Sequence, residues 1–115
     1  MENLNQFELA VLERVAVNHP SIREHIPFLK VINRENTGVG MYINFVYHNK
    51  PKGLKPIFPL DIALSTNDNV VIYPLKRGLG FEVAIMNGQI QFIEFITYDE
   101  FWDGSTQGFS FVPLI

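Results

Sequence analysis

The chain has 115 residues, no cysteine, 18% charged residues and a formal net charge of −3. That length suits one hydrophobic core and not two, and the missing cysteines exclude a disulfide framework, a thiolate metal site and a cysteine nucleophile. Apolar residues make up 47%, enough buried surface to offset ordering entropy, so a single domain over residues 1–115 is expected.

The first element is a helix from Asn5 to about Asn18. The Asn5 side chain can accept an amide of the first turn, while Glu8, three residues on, reaches back to the cap amide. Leu4 and Leu9 frame that start as a hydrophobic staple. Phe7, Val11 and Val15 recur at a spacing of four, and Leu12 and Ala16 broaden the stripe, so this face needs a covering partner. His19-Pro20-Ser21 ends the helix and opens a short second one, with Ile22, Ile26 and Leu29 on one face and Pro27 limiting its length.

From Leu29 the pattern turns strand-like. Residues Lys30 to Glu35 lead to a turn at Asn36-Thr37-Gly38, and Met41, Ile43, Phe45 and Tyr47 then alternate as the buried side of a strand. The segment His48 to Pro59 holds Pro51, Pro56, Pro59 and Gly53 and reads as a loop, since proline cannot donate to a ladder. Strand character returns at Leu60 to Leu64 and at Val70 to Tyr73, where Pro74 predicts a sheet edge. Phe81 to Met86, then Asn87-Gly88, then Gln89 to Ile93 is a hairpin signal, because both turn residues tolerate positive φ. A two-residue loop sets Ile85 opposite Ile90, Val83 opposite Phe92 and Phe81 opposite Glu94. The last pairing puts a carboxylate in an apolar row and predicts a bulge near Ile93-Glu94, or burial on both faces beyond it. Phe109 to Val112 is a candidate last strand. Short connections after residue 30 predict an α+β fold of two amino-terminal helices packed on a mainly antiparallel sheet of about five or six strands.

Met1 to Gln6 has no basic leader, and no stretch reaches the roughly 20 apolar residues of a membrane span, so a soluble cytoplasmic protein without a membrane partner is expected. The nine basic residues are scattered, with Lys50, Lys52 and Lys55 the closest grouping, which argues against nucleic acid. His19, His25 and His48 lack metal-ligand spacing, and Gly78-Leu79-Gly80 lacks the remainder of a phosphate loop, so neither a metal nor a cofactor is expected. No catalytic residue is nominated. The acidic residues Glu94, Asp99, Glu100 and Asp103 interleave with Tyr98, Phe101 and Trp102, a composition suited to meeting a basic partner, with Tyr98 and Trp102 as anchors.

Arg34-Glu35-Asn36-Thr37-Gly38-Val39-Gly40 and Ile96-Thr97-Tyr98-Asp99-Glu100-Phe101-Trp102 together resemble a family of small uncharacterised bacterial proteins with R-E-x-T-G-x-G and Y-T-Y-x-E-x-W segments. The second block departs from that pattern, with Ile96 where the family has Tyr. The resemblance implies a bacterial source and a recurring α+β domain, and brings no activity with it. Arg34, Glu35, Tyr98, Glu100 and Trp102 are the candidate binding residues, with Arg34 or Glu35 expected to bond across to Tyr98, Asp99 or Glu100 if their strands are neighbours; the cluster is then either a structural clasp, the favoured reading, or a recognition site. The leading reading is a non-enzymatic binding or accessory protein, of inhibitor or immunity type, that docks on another protein. The alternative is a small enzyme or ligand-binding domain with an aromatic-lined pocket and a carboxylate such as Glu94 or Glu100. A closed cavity holding a carboxylate would favour the second reading, and a flat or convex face carrying Trp102 the first.

Overall fold

The structure, a computed structural model, describes residues 1–114. Helix α1 spans Gln6–Ala16 and α2 spans Ser21–His25, followed by a 3-10 turn at Ile26–Phe28. The strands are β1 (Leu29–Asn36), β2 (Gly40–Tyr47), β3 (Ile62–Leu64), β4 (Asp68–Val71), β5 (Leu79–Met86), β6 (Gln89–Thr97) and β7 (Ser110–Pro113). They form one seven-stranded sheet in the order β1-β2-β6-β5-β4-β7, with β3 beside β5. Every pairing is antiparallel, so the architecture is α+β. The sheet has more strands than the five or six expected, because the short segments β3 and β7 both join the ladder.

The capping box at the start of α1 is formed: the Glu8 amide donates to Asn5 Oδ1 at 2.8 Å and the Asn5 amide to Glu8 Oε1 at 2.9 Å. Phe7, Val11, Leu12, Val15 and Ala16 are buried on one side of the helix. Phe7 stacks on Phe95 of β6, with ring centroids 4.9 Å apart, and this contact defines the inner face of the sheet. Val31, Ile43, Phe45, Phe81, Val83, Ile85, Ile93 and Phe95 complete that face. At the other end of α1, Arg14 donates two hydrogen bonds to Asp68 at the start of β4, at 2.9 and 3.0 Å. The Arg14 hydrogen bonds hold the Asp68 carboxyl below its ordinary value of 3.8. A lowered folded pKa means stabilisation that is present at neutral pH and lost as the pH falls through 3.8 and beyond. Because Arg14 is 40% exposed, the loss should stay under about 1 kcal/mol. Urea unfolding of Asp68→Asn should show a correspondingly flatter dependence on acid pH than the wild type.

The β5–β6 hairpin shows how one residue decides a face. Asn87 and Gly88 sit at φ 52° and 75°, as a two-residue turn requires, and Ile85 faces Ile90 as expected. The next pairing is not the expected one, because Ala84 faces Phe92, Val83 faces Ile93 and Phe81 faces Phe95. The bulge lies at Gln91, before the predicted Ile93-Glu94. An extra residue in one strand reverses the inward-outward alternation beyond it. Ile93 and Phe95 consequently turn inward, while Phe92 and Glu94 turn outward. Gly88→Val should cost about 1 kcal/mol or more from the positive φ alone. A Cβ there also meets Pro56 Cβ at 2.4 Å, so thermal denaturation at wild-type temperature would contradict this turn. Pro74 does not mark an edge, since β4 ends at Val71 and lies between β5 and β7.

Candidate functional site

The two sequence blocks of the resemblance do meet, but through other groups than those expected. Strands β1 and β6 are separated by β2, so Arg34 and Glu35 cannot reach across to Tyr98, Asp99 or Glu100. The contact is made by the turn instead: the Trp102 amide donates to Gly38 O at 2.9 Å, and Asn36 Nδ2 donates to Trp102 O at 3.2 Å. Thr97 strengthens the joint, with its hydroxyl within hydrogen-bond reach of Val39 O and Glu100 O at 3.0 and 2.7 Å.

Each candidate residue has its own role. Trp102 is fully buried, and its indole Nε1 donates to Ser105 O at 3.1 Å. Glu100 accepts the Lys76 and Arg77 amides at 2.9 and 2.8 Å, and these two donors, Lys76 first, lower its pKa. Tyr98 is 43% exposed, and its hydroxyl lies 3.0 Å from where a Cβ on Gly80 would stand, a close approach that the missing side chain permits. Glu35 accepts from Asn44 at 2.9 Å. Arg34 turns to the inner face and forks onto Glu8, with Nε to Oε2 at 2.7 Å and Nη2 to Oε1 at 2.9 Å. Its Nη1 bonds Glu2.

Arg34 and Trp102 share the wall of a cavity of about 240 Å³ between the start of α1 and the segment after β6. Phe7, Met41, Ile43 and Phe95 supply its apolar surface, and Glu8 is its carboxylate. Glu94 and Glu100 lie elsewhere, and Trp102 occupies no flat face. The sequence did hold a signal for this arrangement in the capping-box position of Glu8, although that motif alone does not announce a cross-sheet ion pair. No family model, curated protein or solved structure matches the chain. Among the described residues no group of three or more histidine and carboxylate side chains is placed to hold a metal ion, and no helix is long and apolar enough to cross a membrane.

The outer face of the sheet carries the other concentration of chemistry. Register aligns Glu35, Tyr42, Glu94 and Glu82 in one row across β1, β2, β6 and β5. The Tyr42 hydroxyl donates to Glu94 Oε2 at 2.9 Å. That hydrogen bond, with the charges of Glu94 and Glu35, raises the Tyr42 pKa. None of the three glutamates is ion-paired among the described residues, and β2, β5 and β6 contain no lysine or arginine. Beside the row lie half-buried Phe92, packed edge-on to Tyr42 at 5.5 Å, and exposed Ile96 and Tyr98.

Sequence reasoning also missed the role of His25. It is 1% exposed, with Nε2 2.8 Å from Lys55 O and Nδ1 2.9 Å from Tyr47 Oη. The carbonyl can only accept, so Nε2 carries a proton, and in the neutral imidazole Tyr47 then donates to Nδ1, while the Ile90 amide donates to Tyr47 Oη at 2.7 Å. Burial pushes the Tyr47 phenol up to about 12, keeping it a donor. The chain of bonds fastens the proline-rich loop to the hairpin.

Proposed function

We propose that the protein is a non-enzymatic binding domain whose outer sheet face docks on a basic surface of another protein, as an inhibitor or immunity-type partner in a bacterial cytoplasm would. The observation that carries this reading is Glu82 standing directly opposite Glu94, with neither in a salt bridge among the described residues. Like charges directly opposed across strands are destabilising, so retaining them is readily explained by a partner that neutralises them. Tyr42, Phe92, Ile96 and Tyr98 offer apolar and aromatic contact area beside the charges. In this reading the two helices that precede the strands serve the inner face and leave the outer one open. A face rich in carboxylates repels polyanions, which argues against nucleic acid. The enzyme alternative has less support, because both oxygens of Glu8, the carboxylate in the cavity, are already bonded.

Glu82→Gln should raise stability by roughly 0.2–1 kcal/mol at low salt by relieving the opposed charges, measured by urea unfolding. For binding, immobilised wild type and a Glu82→Lys/Glu94→Lys variant are compared on an extract of the source cells. The wild type should retain a basic protein that elutes as ionic strength rises, and the variant should not. Equal retention by both, or retention by neither, would overturn the reading.

A further inference from the structure

We propose that Phe101, with Val39, Ile96 and Tyr98 around it, is the apolar anchor of the interface, and that its occupant is a basic amphipathic segment of the partner protein. The inference rests on the reading above in taking the partner to be a basic protein. It adds the residue on which binding depends and the chemistry of what covers it.

Phe101 is 76% exposed, while its neighbour Trp102 is fully buried. A ring left in water adds little to the core, yet the backbone that carries this one is fixed. The Trp102 amide donates to Gly38 O at 2.9 Å, the Thr97 hydroxyl is 2.7 Å from Glu100 O, and the Glu100 carboxylate accepts the Lys76 and Arg77 amides. A segment held on both sides of Phe101 has little freedom left to lose on association, so the ring's contact area converts more fully into affinity. Single exposed apolar side chains are ordinary, but here four share one end of the sheet. The Phe101 ring lies 3.8 Å from where a Cβ on Gly38 would stand, beside exposed Val39. The Thr97 amide donates to Val39 O, and Gly40 pairs with Ile96. Ile96 is two residues from Glu94 on the same face of β6, which makes the patch continuous with the carboxylate row.

Charge selects the occupant. Asp99 and Asp103 stand two residues either side of Phe101, both exposed and neither in a salt bridge among the described residues. Lys76 and Arg77 meet this end through their backbone amides on Glu100. A second copy of the chain would bring Asp99, Asp103 and Glu94 against their own kind, which opposes association, and an anionic lipid surface would be repelled in the same way. An apolar side chain framed by lysines or arginines complements both the patch and its acidic border.

The probe is a synthetic amphipathic helix of leucine and lysine, titrated into the isotope-labelled full chain and followed by amide chemical shifts. Versions with serine for leucine and with glutamate for lysine are the controls. The leucine/lysine helix should move the signals of Val39, Ile96, Tyr98 and Phe101 saturably, and each control should bind about tenfold more weakly or worse. Phe101→Ser changes an exposed position, so it should keep the wild-type melting temperature and weaken the leucine/lysine helix about tenfold. The Glu82→Lys/Glu94→Lys variant separates the two readings: loss of binding there, with full binding by Phe101→Ser, would overturn the anchor and leave the outer-face reading standing. Equal binding of all three peptides, or no saturable shift at the four residues, would also overturn the proposal. So would concentration-dependent shifts at those residues without peptide, which would make a second copy the occupant.

Discussion

Trp102→Ala is expected to lower the unfolding free energy by roughly 3–5 kcal/mol, the range for removing a fully buried large aromatic. Nothing of the side chain is exposed, and its ring packs edge-on against Phe95 at 5.9 Å. The backbone of the same residue joins the β1–β2 turn through Gly38 and Asn36. Deleting the ring removes what keeps that joint pressed against the inner face, and an adjoining cavity already offers little material to collapse into the gap. The melting temperature should fall by on the order of 10 °C or more, and chemical unfolding should shift its midpoint with an unchanged slope. A residue kept for recognition alone would leave both measurements near the wild type, so an intact melting temperature would remove Trp102 from the core role that its burial assigns.

Local rules read well in this sequence where the answer is itself local. The capping box at Asn5 and Glu8, the Asn87-Gly88 turn, the alternation of β2 and the α+β class all follow from short-range chemistry. What failed did so at a single inserted residue and at a long-range pairing. The bulge at Gln91 changes the face of every later residue in β6, and the apolar pattern alone permits it at Gln91 or at Ile93, since Phe92 and Ile93 are both apolar. Arg34 illustrates the second failure. Its destination, Glu8, is 26 positions away on a helix whose docking orientation no periodicity states, and the same arginine could as well have faced Tyr98 had β1 and β6 been neighbours. The outer row of Glu35, Tyr42, Glu94 and Glu82 was invisible for the same reason, because it exists only once four strands are in register.

The Glu8–Arg34 pair yields the second large effect, and the effect lies in the coupling. Glu8 is 1% exposed and Arg34 27% at their side chains. The Glu8 hydrogen bonds first, and Glu2 after them, hold the guanidinium still more firmly protonated than an ordinary arginine. In Arg34→Met the carboxylate keeps only the Asn5 amide, and an unpaired charge remains buried. Breaking such a pair costs roughly 3–5 kcal/mol when both partners are enclosed, and the solvent on the Arg34 side brings the expected loss to about 2–3 kcal/mol. Glu8→Gln keeps a side-chain acceptor for the capping box and carries no charge to strand. The double variant Glu8→Gln/Arg34→Met should therefore be more stable than Arg34→Met alone by about 1 kcal/mol or more, against the expectation that a second core substitution adds its own cost. Urea unfolding of the wild type, the two single variants and the double variant completes the cycle. Strictly additive losses would mean that Glu8 is tolerated without Arg34, and that the charge cancellation inside the cavity is not what holds that wall together.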